Sequence, residues 1–307
     1  MNILITGVAG FIGSSIANEL VKDTNLTIIG IDNMYSGTKE NLSSLSSFKN
    51  FKFYHTDIRD YESLNNIFQT NNIQYVYHLA AIVSVQESIK NPLFTHNVNV
   101  QGTVNLLEAS RNNHVKRVIF SSSAAVYGDE PTLPKDELST TAPISPYGYE
   151  KLIGEHYMKL YNDLYELETV VLRYFNVYGK GQSITNDYSG VITKFIYNFD
   201  NNKISIIYGT GEQYRDFVHI DDIVNANILS MRTPNIGGEV FCVGSGQKTT
   251  INSLFNLLKL KYQKDFLPDY LPMMSGDIKA SVCNNTKIRN ILKIDNFTFF
   301  EQGIMKL

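Results

Sequence analysis

A tyrosine and a lysine near the middle of the chain are the residues best suited to move a proton. Ser145 and Pro146 predict an N-cap and a first helical residue, so Tyr147 and Lys151 fall at i and i+4 on one helix face. An ordinary tyrosine has a pKa of about 10, and lowering it to about 7 takes roughly 4 kcal/mol of preferential phenolate stabilisation. We expect the ammonium of Lys151 and the helix N-terminus to act in that direction.

Position along the chain matters because the same spacing occurs twice. Tyr35 and Lys39 also lie four residues apart, but they fall in a predicted loop. Tyr147 instead comes after a predicted strand that ends in Ser123, and open α/β sheets bind ligands at the carboxyl ends of their strands. The hydroxyl of Ser123 is therefore expected to share a proton between substrate and phenolate. We predict that Ser123, Tyr147 and Lys151 form the catalytic group.

A glycine turn at the start of the chain predicts a site for a pyrophosphate. Residues 2–6 form an apolar strand, Gly7, Gly10 and Gly13 form a turn, and a helix follows from Ser14. Glycine lets the backbone approach the phosphates, and the N–H groups of the helix N-terminus bind them. The spacing is Gly-x-x-Gly-x-x-Gly rather than Gly-x-Gly-x-x-Gly, so the strand and helix around it are needed for the assignment.

An aspartate at the end of the second predicted strand indicates which dinucleotide binds. Asp32 lies 19 residues after Gly13, where a carboxylate accepts hydrogen bonds from ribose hydroxyls. No Arg or Lys occurs between Asp32 and Lys39 to neutralise a phosphate, which favours NAD over NADP. Asp57 and Ile58 are predicted to border the adenine, although Asp57 could equally be a solvated turn residue. A nicotinamide cofactor beside an ionisable phenol indicates hydride chemistry.

The elements that must position these residues alternate between strands and helices. Up to about residue 175, β-branched runs alternate with helical stretches, which predicts an α/β fold with a Rossmann-type doubly wound parallel sheet. Beyond it, a smaller and irregular C-terminal substrate lobe is expected. The predicted strands are Asn2 to Thr6, Leu26 to Ile31, Phe51 to His55, Tyr75 to Leu79, Arg117 to Ser122 and Thr169 to Tyr174. The NAD-binding domain is predicted to comprise residues 1–175 plus about 218–243, and the substrate lobe 176–217 plus 244–307.

Bulk composition excludes several classes of protein. The 307 residues are 43% hydrophobic and 19% charged with a net charge of -3, so no general attraction to nucleic acid or anionic membrane is expected. No apolar run is long enough to span a bilayer, and two cysteines are too few for a disulfide framework. The run from His219 to Asp222 has no further ligand spaced to complete a metal site. We expect a soluble, cytoplasmic protein without a metal.

Several segments in the right order resemble the extended short-chain dehydrogenase/reductase family, and within it the nucleotide-sugar 4-epimerases. The resemblance implies that NAD acts as an internal redox group, that Tyr147 removes a sugar hydroxyl proton, and that a 4-keto sugar turns over before reduction from its other face. The segments are Gly7 to Gly13, Asp32-Asn33, residues 78–81, residues 97–103, Ser121 to Gly128, Tyr147 to Lys151, residues 173–179 and residues 209–219.

The same resemblance extends the predicted site and implies a homodimer. The dimer is expected to form through the helix after the fourth strand and the helix carrying Tyr147, although Val98, Val104, Leu106 and Leu107 could equally be buried within one subunit. The implied cofactor contacts are Gly7, Gly10, Phe11, Ile12, Gly13, Asp32, Asn33, Asp57, Ile58, Leu79, Ala80, Ala81, Asn99, Tyr147 and Lys151. The implied UDP-sugar contacts are Ser84, Ser123, Tyr147, Asn176, Arg215, Asp277 and Ser281.

Departures from the family pattern bear on which reaction is catalysed. The 4,6-dehydratases and decarboxylases that this chain resembles carry an acid after the serine that corresponds to Ser123. This chain has Ala124 and Ala125 there, which favours simple epimerisation. A nucleotide-sugar reductase or dehydratase remains an alternative.

Other departures concern the substrate. Met274 stands where the family has an arginine, and with a short final helix it motivates a second alternative, a catalytically idle NAD-binding regulator. Lys279 is one base that could substitute for that arginine. Arg215 suits a diphosphate, although a surface ion pair with a neighbouring aspartate is the alternative. Ser281 occupies a position where hexose-specific epimerases resemble one another in having tyrosine, which favours UDP-N-acetylglucosamine and UDP-N-acetylgalactosamine.

Overall fold

The computed structural model describes residues 1–182, 190–273 and 280–307, which divide into two compact units. The first unit comprises Met1–Gly128, Thr141–Arg173 and Val224–Phe241, and the second comprises Asp129–Thr140, Tyr174–Ile223 and Cys242–Leu307. The strands in chain order are β1 (Asn2–Thr6), β2 (Thr27–Asp32), β3 (Phe51–His55), β4 (Tyr75–His78), β5 (Arg117–Ser123), β6 (Glu168–Tyr174), β7 (Asn176–Tyr178), β8 (Ile206–Tyr208), β9 (Tyr214–Arg215), β10 (Phe217–His219), β11 (Val240–Val243), β12 (Thr249–Thr250) and β13 (Asp269–Leu271).

The α-helices of the described residues connect these strands. They are α1 (Phe11–Leu20), α2 (Lys39–Ser43), α3 (Tyr61–Asn71), α4 (Val85–Lys90), α5 (Pro92–His96), α6 (Gly102–Asn112), α7 (Pro146–Tyr165), α8 (Val191–Asp200), α9 (Ile220–Arg232), α10 (Ile251–Tyr262), α11 (Thr286–Leu292) and α12 (Phe300–Met305). A π-helical turn, Asn97–Gln101, joins α5 to α6, and a 3₁₀ turn, Ala124–Tyr127, follows β5. A second 3₁₀ turn, Leu45–Ser47, follows α2.

Seven strands form one sheet in the order β11-β6-β5-β4-β1-β2-β3. β1 pairs in parallel with both β2 and β4, so the strand order reverses direction at β1. Ligands bind outside the carboxyl ends of the strands at such a switch point. The predicted Rossmann-type parallel sheet is confirmed, and all six predicted strands are present within about one residue of their predicted ends.

The core of the first unit explains why its strands read as continuous apolar runs. Ile3, Leu4 and Ile5 are fully buried although successive strand residues face opposite sides, which requires both faces of the sheet to be covered. Leu106 and Leu107 are also fully buried and belong to this core. With Val98 they are therefore buried within one chain. This is one of the two alternatives that the sequence left open for these residues, the other being a contact between subunits.

The second unit has a separate core that is rich in aromatic side chains. Phe199 contacts the rings of Phe255 and Tyr262 at 5.3 Å and 5.4 Å between centroids, and Tyr178 contacts Phe300 at 5.5 Å. Its short strands pair as β7 with β10, β9 with β12 and β8 with β13. Among the described residues of either unit, no helix has the length and apolarity needed to cross a bilayer.

Candidate active site

The glycine turn has no room for side chains, and it leaves the N–H groups at the start of α1 without a side-chain cap. Gly7 has a φ of 69°, and a Cβ on it would lie 2.8 Å from the backbone nitrogen of Ala80. A Cβ on Gly13 would lie 2.2 Å from the carbonyl oxygen of Gly7. Gly10 is the N-cap of α1 and supplies no side-chain cap, so the N–H groups of Phe11 and Ile12 face the turn without one. This cradle fits a dinucleotide pyrophosphate.

The carboxylate of Asp32 is held at the end of β2 by backbone donors. Its two oxygens accept from the N–H groups of Ala9 at 3.0 Å and Met34 at 2.8 Å. Burial raises the pKa of Asp32, while these hydrogen bonds oppose the rise. Each oxygen retains a lone pair, which is what binding to ribose hydroxyls requires.

Asp57 takes part in an ion pair that sequence reasoning missed. Arg59 donates to both of its oxygens, at 2.9 Å and 2.8 Å, and Asn33 donates at 2.8 Å. Led by the hydrogen bond from Arg59, these contacts hold the pKa of Asp57 at about 2. A guanidinium therefore lies near the predicted adenine region, but its charge is matched by Asp57, so the argument for NAD over NADP stands.

A buried histidine connects the residues behind the glycine turn. Thr6 contacts Nδ1 of His78 at 2.8 Å, and Thr103 contacts Nε2 at 3.0 Å. Thr103 donates its only proton to the carbonyl of Asn99, so Nε2 of His78 carries the hydrogen and Nδ1 accepts from Thr6. Burial first, and the charge of Lys151 second, lower the pKa of His78 to about 3. The oxygen of Thr6 then accepts from the N–H groups of Leu79 and Ala80, which orders the segment that continues to Ala81.

Two serines accept hydrogen bonds from backbone N–H groups in the first turn of α7, the helix that carries the predicted catalytic pair. Ser145 caps the helix by accepting from the N–H of Gly148, as the sequence predicted. Ser88, which is fully buried on α4, accepts from the N–H of Tyr147 at 3.1 Å. Lys151 Nζ donates to the carbonyl of Ser121 at 2.8 Å and lies 5.9 Å from the ring centroid of Tyr147.

The hydroxyl of Ser123 lies near the phenol of Tyr147, yet that phenol is not acidic in the protein alone. Burial raises the pKa of Tyr147 to about 12, and the hydrogen bond with Ser123 only partly opposes this rise. Burial also lowers the pKa of Lys151 to about 8, against the charges of Glu150 and Glu155. In the protein alone, desolvation therefore outweighs any lowering of this pKa by Lys151 and the helix N-terminus.

Asn99 lies in the π-helical turn and connects the predicted cofactor loop to α7. Its amide oxygen accepts from the N–H of Ile82 at 2.8 Å, and its Nδ2 donates to the carbonyl of Ile82 and to Glu150 at 2.6 Å. Thr95 donates to the other oxygen of Glu150 at 2.7 Å. The side chain of Asn99 is thus engaged within the protein. Glu150 was not singled out, although a carboxylate three residues after Tyr147 was a visible signal.

A second buried carboxylate supports the turn after Ser123. Glu155 accepts from Ser122 at 2.5 Å and pairs with Arg173 at 2.7 Å, and both charged side chains are nearly inaccessible. Arg173 also donates to the phenol of Tyr127 in the 3₁₀ turn. An arginine inside the apolar run of β6 was the sequence signal for this buried pair.

In the second unit, a buried aspartate organises the strand that carries Arg215. Asp216 is fully buried and accepts from the N–H groups of Ser245, Gly246 and Cys283 and from the hydroxyl of Ser245. Burial raises the pKa of Asp216 against these hydrogen bonds. Asp216 thus has a structural role, and Arg215 lies directly before it on β9.

A cavity of about 590 Å³ in the second unit contains two of the predicted substrate residues. Asn176 and Arg215 both line it, together with the polar side chains of Lys194, Asn198 and Gln213. Apolar walls come from Val191, Phe195, Ile204, Ile206, Ile207 and Ile251. The volume and mixed lining are those of a site for a nucleotide-sized molecule.

The remaining predicted substrate residues have different surroundings. Ser281 lies beside β9, since its N–H donates to the carbonyl of Tyr214 at 3.2 Å. Ser84 caps α4 by accepting from the N–H of Glu87, and it is buried. Asp277 lies outside the described residues, as do Met274 and Lys279.

The chain matches known proteins over nearly its whole length. The model of the NAD dependent epimerase/dehydratase family matches residues 3–244. A putative UDP-glucose 4-epimerase of Methanocaldococcus jannaschii is 40% identical over 258 residues, covering 84% of this chain and 81% of the relative.

Solved structures agree with this match. A Thermotoga maritima UDP-glucose 4-epimerase, solved with UDP-glucose, superposes with a TM-score of 0.94 at 38% identity, covering 99% of this chain and 96% of that one. A UDP-N-acetylglucosamine 4-epimerase of Methanobrevibacter ruminantium, in complex with UDP-N-acetylmuramic acid, gives 0.94 at 37% identity with the same coverage.

Proposed function

The chain belongs to the NAD dependent epimerase/dehydratase family, and from that premise we propose that it inverts C4 of a UDP-sugar through a transient 4-keto sugar. The observation that carries the proposal is the contact of Tyr147 with Ser123, with Lys151 one helical turn away on the same helix. Relatives bearing the name UDP-glucose 4-epimerase or UDP-N-acetylglucosamine 4-epimerase support the same reaction.

The predicted cofactor, NAD, is confirmed by the family, and the first unit holds residues that fit it. The turn from Gly7 to Gly13 would bind the pyrophosphate, and Asp32 would bind the adenine ribose. When bound, NAD supplies reversible hydride acceptance at the sugar carbon. Every proton movement is left to the side chains of the chain itself.

Tyr147 is proposed to take the proton of the C4 hydroxyl and to return it after the keto sugar has turned. Moving its pKa from about 12 to about 7 corresponds to roughly 7 kcal/mol of preferential phenolate stabilisation. A positively charged nicotinamide ring and the Lys151 ammonium are the two charges available for that stabilisation. Ser123 would donate a hydrogen bond to the oxygen at C4 as charge develops there.

Epimerisation is favoured over dehydration by the state of the acids near Tyr147. The two residues after Ser123 are Ala124 and Ala125, which cannot act as acid or base. The carboxylates of Glu150 and Glu155 are engaged with protein donors. An elimination would need an available acid.

For the sugar, we propose UDP-N-acetylglucosamine and its C4 epimer, with UDP-glucose as a second substrate. Support comes from Ser281, a small residue beside the strand of Arg215, which would leave volume for a 2-acetamido group. The Ser281→Tyr variant should lose UDP-N-acetylglucosamine activity by about tenfold or more and keep UDP-glucose activity, because a pocket fitted to a smaller group excludes the larger one.

The deciding experiment incubates purified protein of known NAD content with UDP-glucose, UDP-N-acetylglucosamine or UDP-glucuronate and separates the C4 epimers by chromatography. No epimer from any of the three would contradict the epimerase proposal. Net NADH formation, or release of a keto sugar, would instead favour the reductase or dehydratase alternative. Activity with UDP-glucose alone would contradict the proposal, based on Ser281, that the site accepts a 2-acetamido sugar.

We also propose that the chain forms a homodimer through α5 and α7. Leu93 is 82% exposed on α5, and Leu160 and Leu164 are exposed one turn apart on the same face of α7. Exposed apolar residues on two helices that contact each other favour association with a second copy. Light scattering should give twice the chain mass of 34.7 kDa.

A further inference from the structure

Two cationic side chains line the cavity of the second unit. Lys194 and Arg215 both line it, and no aspartate or glutamate does so among residues 1–182, 190–273 and 280–307. The other polar groups are neutral amides and phenols, such as those of Asn176, Gln213 and Tyr208. The positive charge of Lys194 in this concave, largely apolar space favours an anionic ligand.

Lys194 is exposed, and its own helix gives its positive charge no support. It is the fourth residue of α8, in the first turn, where the helix macrodipole disfavours a cation. No acceptor for its ammonium lies within the part of the chain that the structure describes. Other lysines of this unit do have one, since Lys203 Nζ donates to the phenol of Tyr197 at 3.1 Å and Lys261 Nζ to the carbonyl of Ile304 at 2.8 Å.

We propose that Lys194 binds the phosphate groups of the nucleoside diphosphate and supplies the second positive charge beside Arg215. The proposal rests on the UDP-sugar function proposed above. A bridging diphosphate carries two negative charges, and one lysine with one arginine matches them. The arginine offers a planar fork and the lysine a compact charge on a flexible stem that adapts to the second phosphate.

The walls of the same cavity explain why the phosphates would come within reach of Lys194. Phe195, Ile207 and Ile251 provide apolar surface for a planar base, and they leave the two cations as the groups able to bind its phosphates. The family that the chain resembles has a second arginine at the position of Met274. A lysine on α8 supplies that charge from a different element.

The test is isothermal titration calorimetry of the NAD-containing protein with uridine, UMP and UDP. Lys194→Gln should weaken UDP binding about tenfold, as expected for loss of a charge-assisted hydrogen bond, and change uridine binding less than twofold. The matched control is Lys261→Gln, which removes a lysine of the same unit whose acceptor, the carbonyl of Ile304, does not line the cavity, and it should change neither affinity. In the epimerase assay, Lys194→Gln should raise KM and leave kcat unchanged.

The possible outcomes separate the two proposals. If wild-type protein binds UDP and Lys194→Gln binds it equally well, the assignment of Lys194 is overturned and the proposed function is untouched. A parallel loss of uridine and UDP affinity would overturn it as well, because it would mean that Lys194 supports the base or the fold. If wild-type protein binds no UDP, the proposed function itself fails.

Discussion

The polar groups around Tyr147 and those lining the cavity of the second unit differ in how completely the chain itself satisfies them. Lys151 lies 2.8 Å from a protein acceptor, and Glu150 and Glu155 are closer still to their donors. In the cavity, Lys194 has no acceptor in the described chain. Folding alone therefore satisfies the buried charges around Tyr147 in the first unit, whereas the second unit leaves the charge of Lys194 for a ligand to match.

Burial accounts for this difference. A charged group removed from water is costly unless it is hydrogen-bonded or paired, so the nearly inaccessible Glu150, Glu155 and Lys151 require partners in the protein itself. The exposed ammonium of Lys194 remains hydrated, so the lack of a protein acceptor costs little free energy. Substitutions of the buried groups around Tyr147 should lower kcat or stability. Substitution of Lys194 should weaken ligand binding alone.

The largest effect is expected from Tyr147→Phe. Loss of the proposed proton acceptor should lower kcat about 1000-fold, in the middle of the range for general acid–base groups. NAD content, measured by absorbance after denaturation, should stay at the wild-type level. Tyr149→Phe, an exposed tyrosine on the same helix, is the control and should retain activity. Full activity of Tyr147→Phe would contradict the role of proton acceptor that we propose for this residue of the first unit.

A smaller but still large effect is expected from Glu155→Gln. The change leaves Arg173 buried without its charge partner, which should lower the free energy of unfolding by about 3 kcal/mol in urea titrations. Glu19→Gln breaks the exposed pair with Lys22 and should leave stability at the wild-type value within error. Equal effects of the two variants would mean that burial does not make the Glu155–Arg173 pair more important for stability than an exposed pair.

The smallest of the three effects concerns His78 and pH. Its folded-state pKa of about 3 lies below the unfolded value of 6.5, so the unfolded chain binds more protons and stability falls as pH drops from 6.5 towards 3. Between pH 7 and pH 5 this group should contribute a loss of about 2 kcal/mol.

Comparison of variants isolates that contribution. The His78→Gln variant should show a shallower fall of unfolding free energy between pH 7 and pH 5, whatever its stability at pH 7. His156→Gln, which changes an exposed histidine of α7, should keep the wild-type slope. An unchanged slope in His78→Gln would show that the histidine is not held neutral by its buried surroundings.

Features that depend on local spacing could be predicted before the structure was known. The strands of the sheet, the glycine turn and the cap at Ser145 follow from short runs of sequence, because strand burial, positive φ and capping are determined within a few residues. The i and i+4 spacing likewise put Tyr147 and Lys151 on one helix face. NAD followed from Asp32 by the same kind of local argument.

Features that depend on distant partners were missed. Asn99 beside Glu150 and Arg173 beside Glu155 are pairs in which the identity of the partner depends on packing between elements. Lys194 was not singled out because its helix first meets β9 in three dimensions, where both line one cavity. No spacing in the chain relates residue 194 to residue 215.

The sequence by itself determined the fold class, the cofactor and the catalytic group that we propose, because those depend on periodicity and on residues close together in the chain. Only the tertiary structure decided the electrostatics. Burial raises the pKa of Tyr147 to about 12 where local charges alone predicted a fall, and it engages Glu150 and Glu155 with protein donors. Desolvation is the physical reason, because it depends on everything packed around a group, and no local run of sequence contains that information.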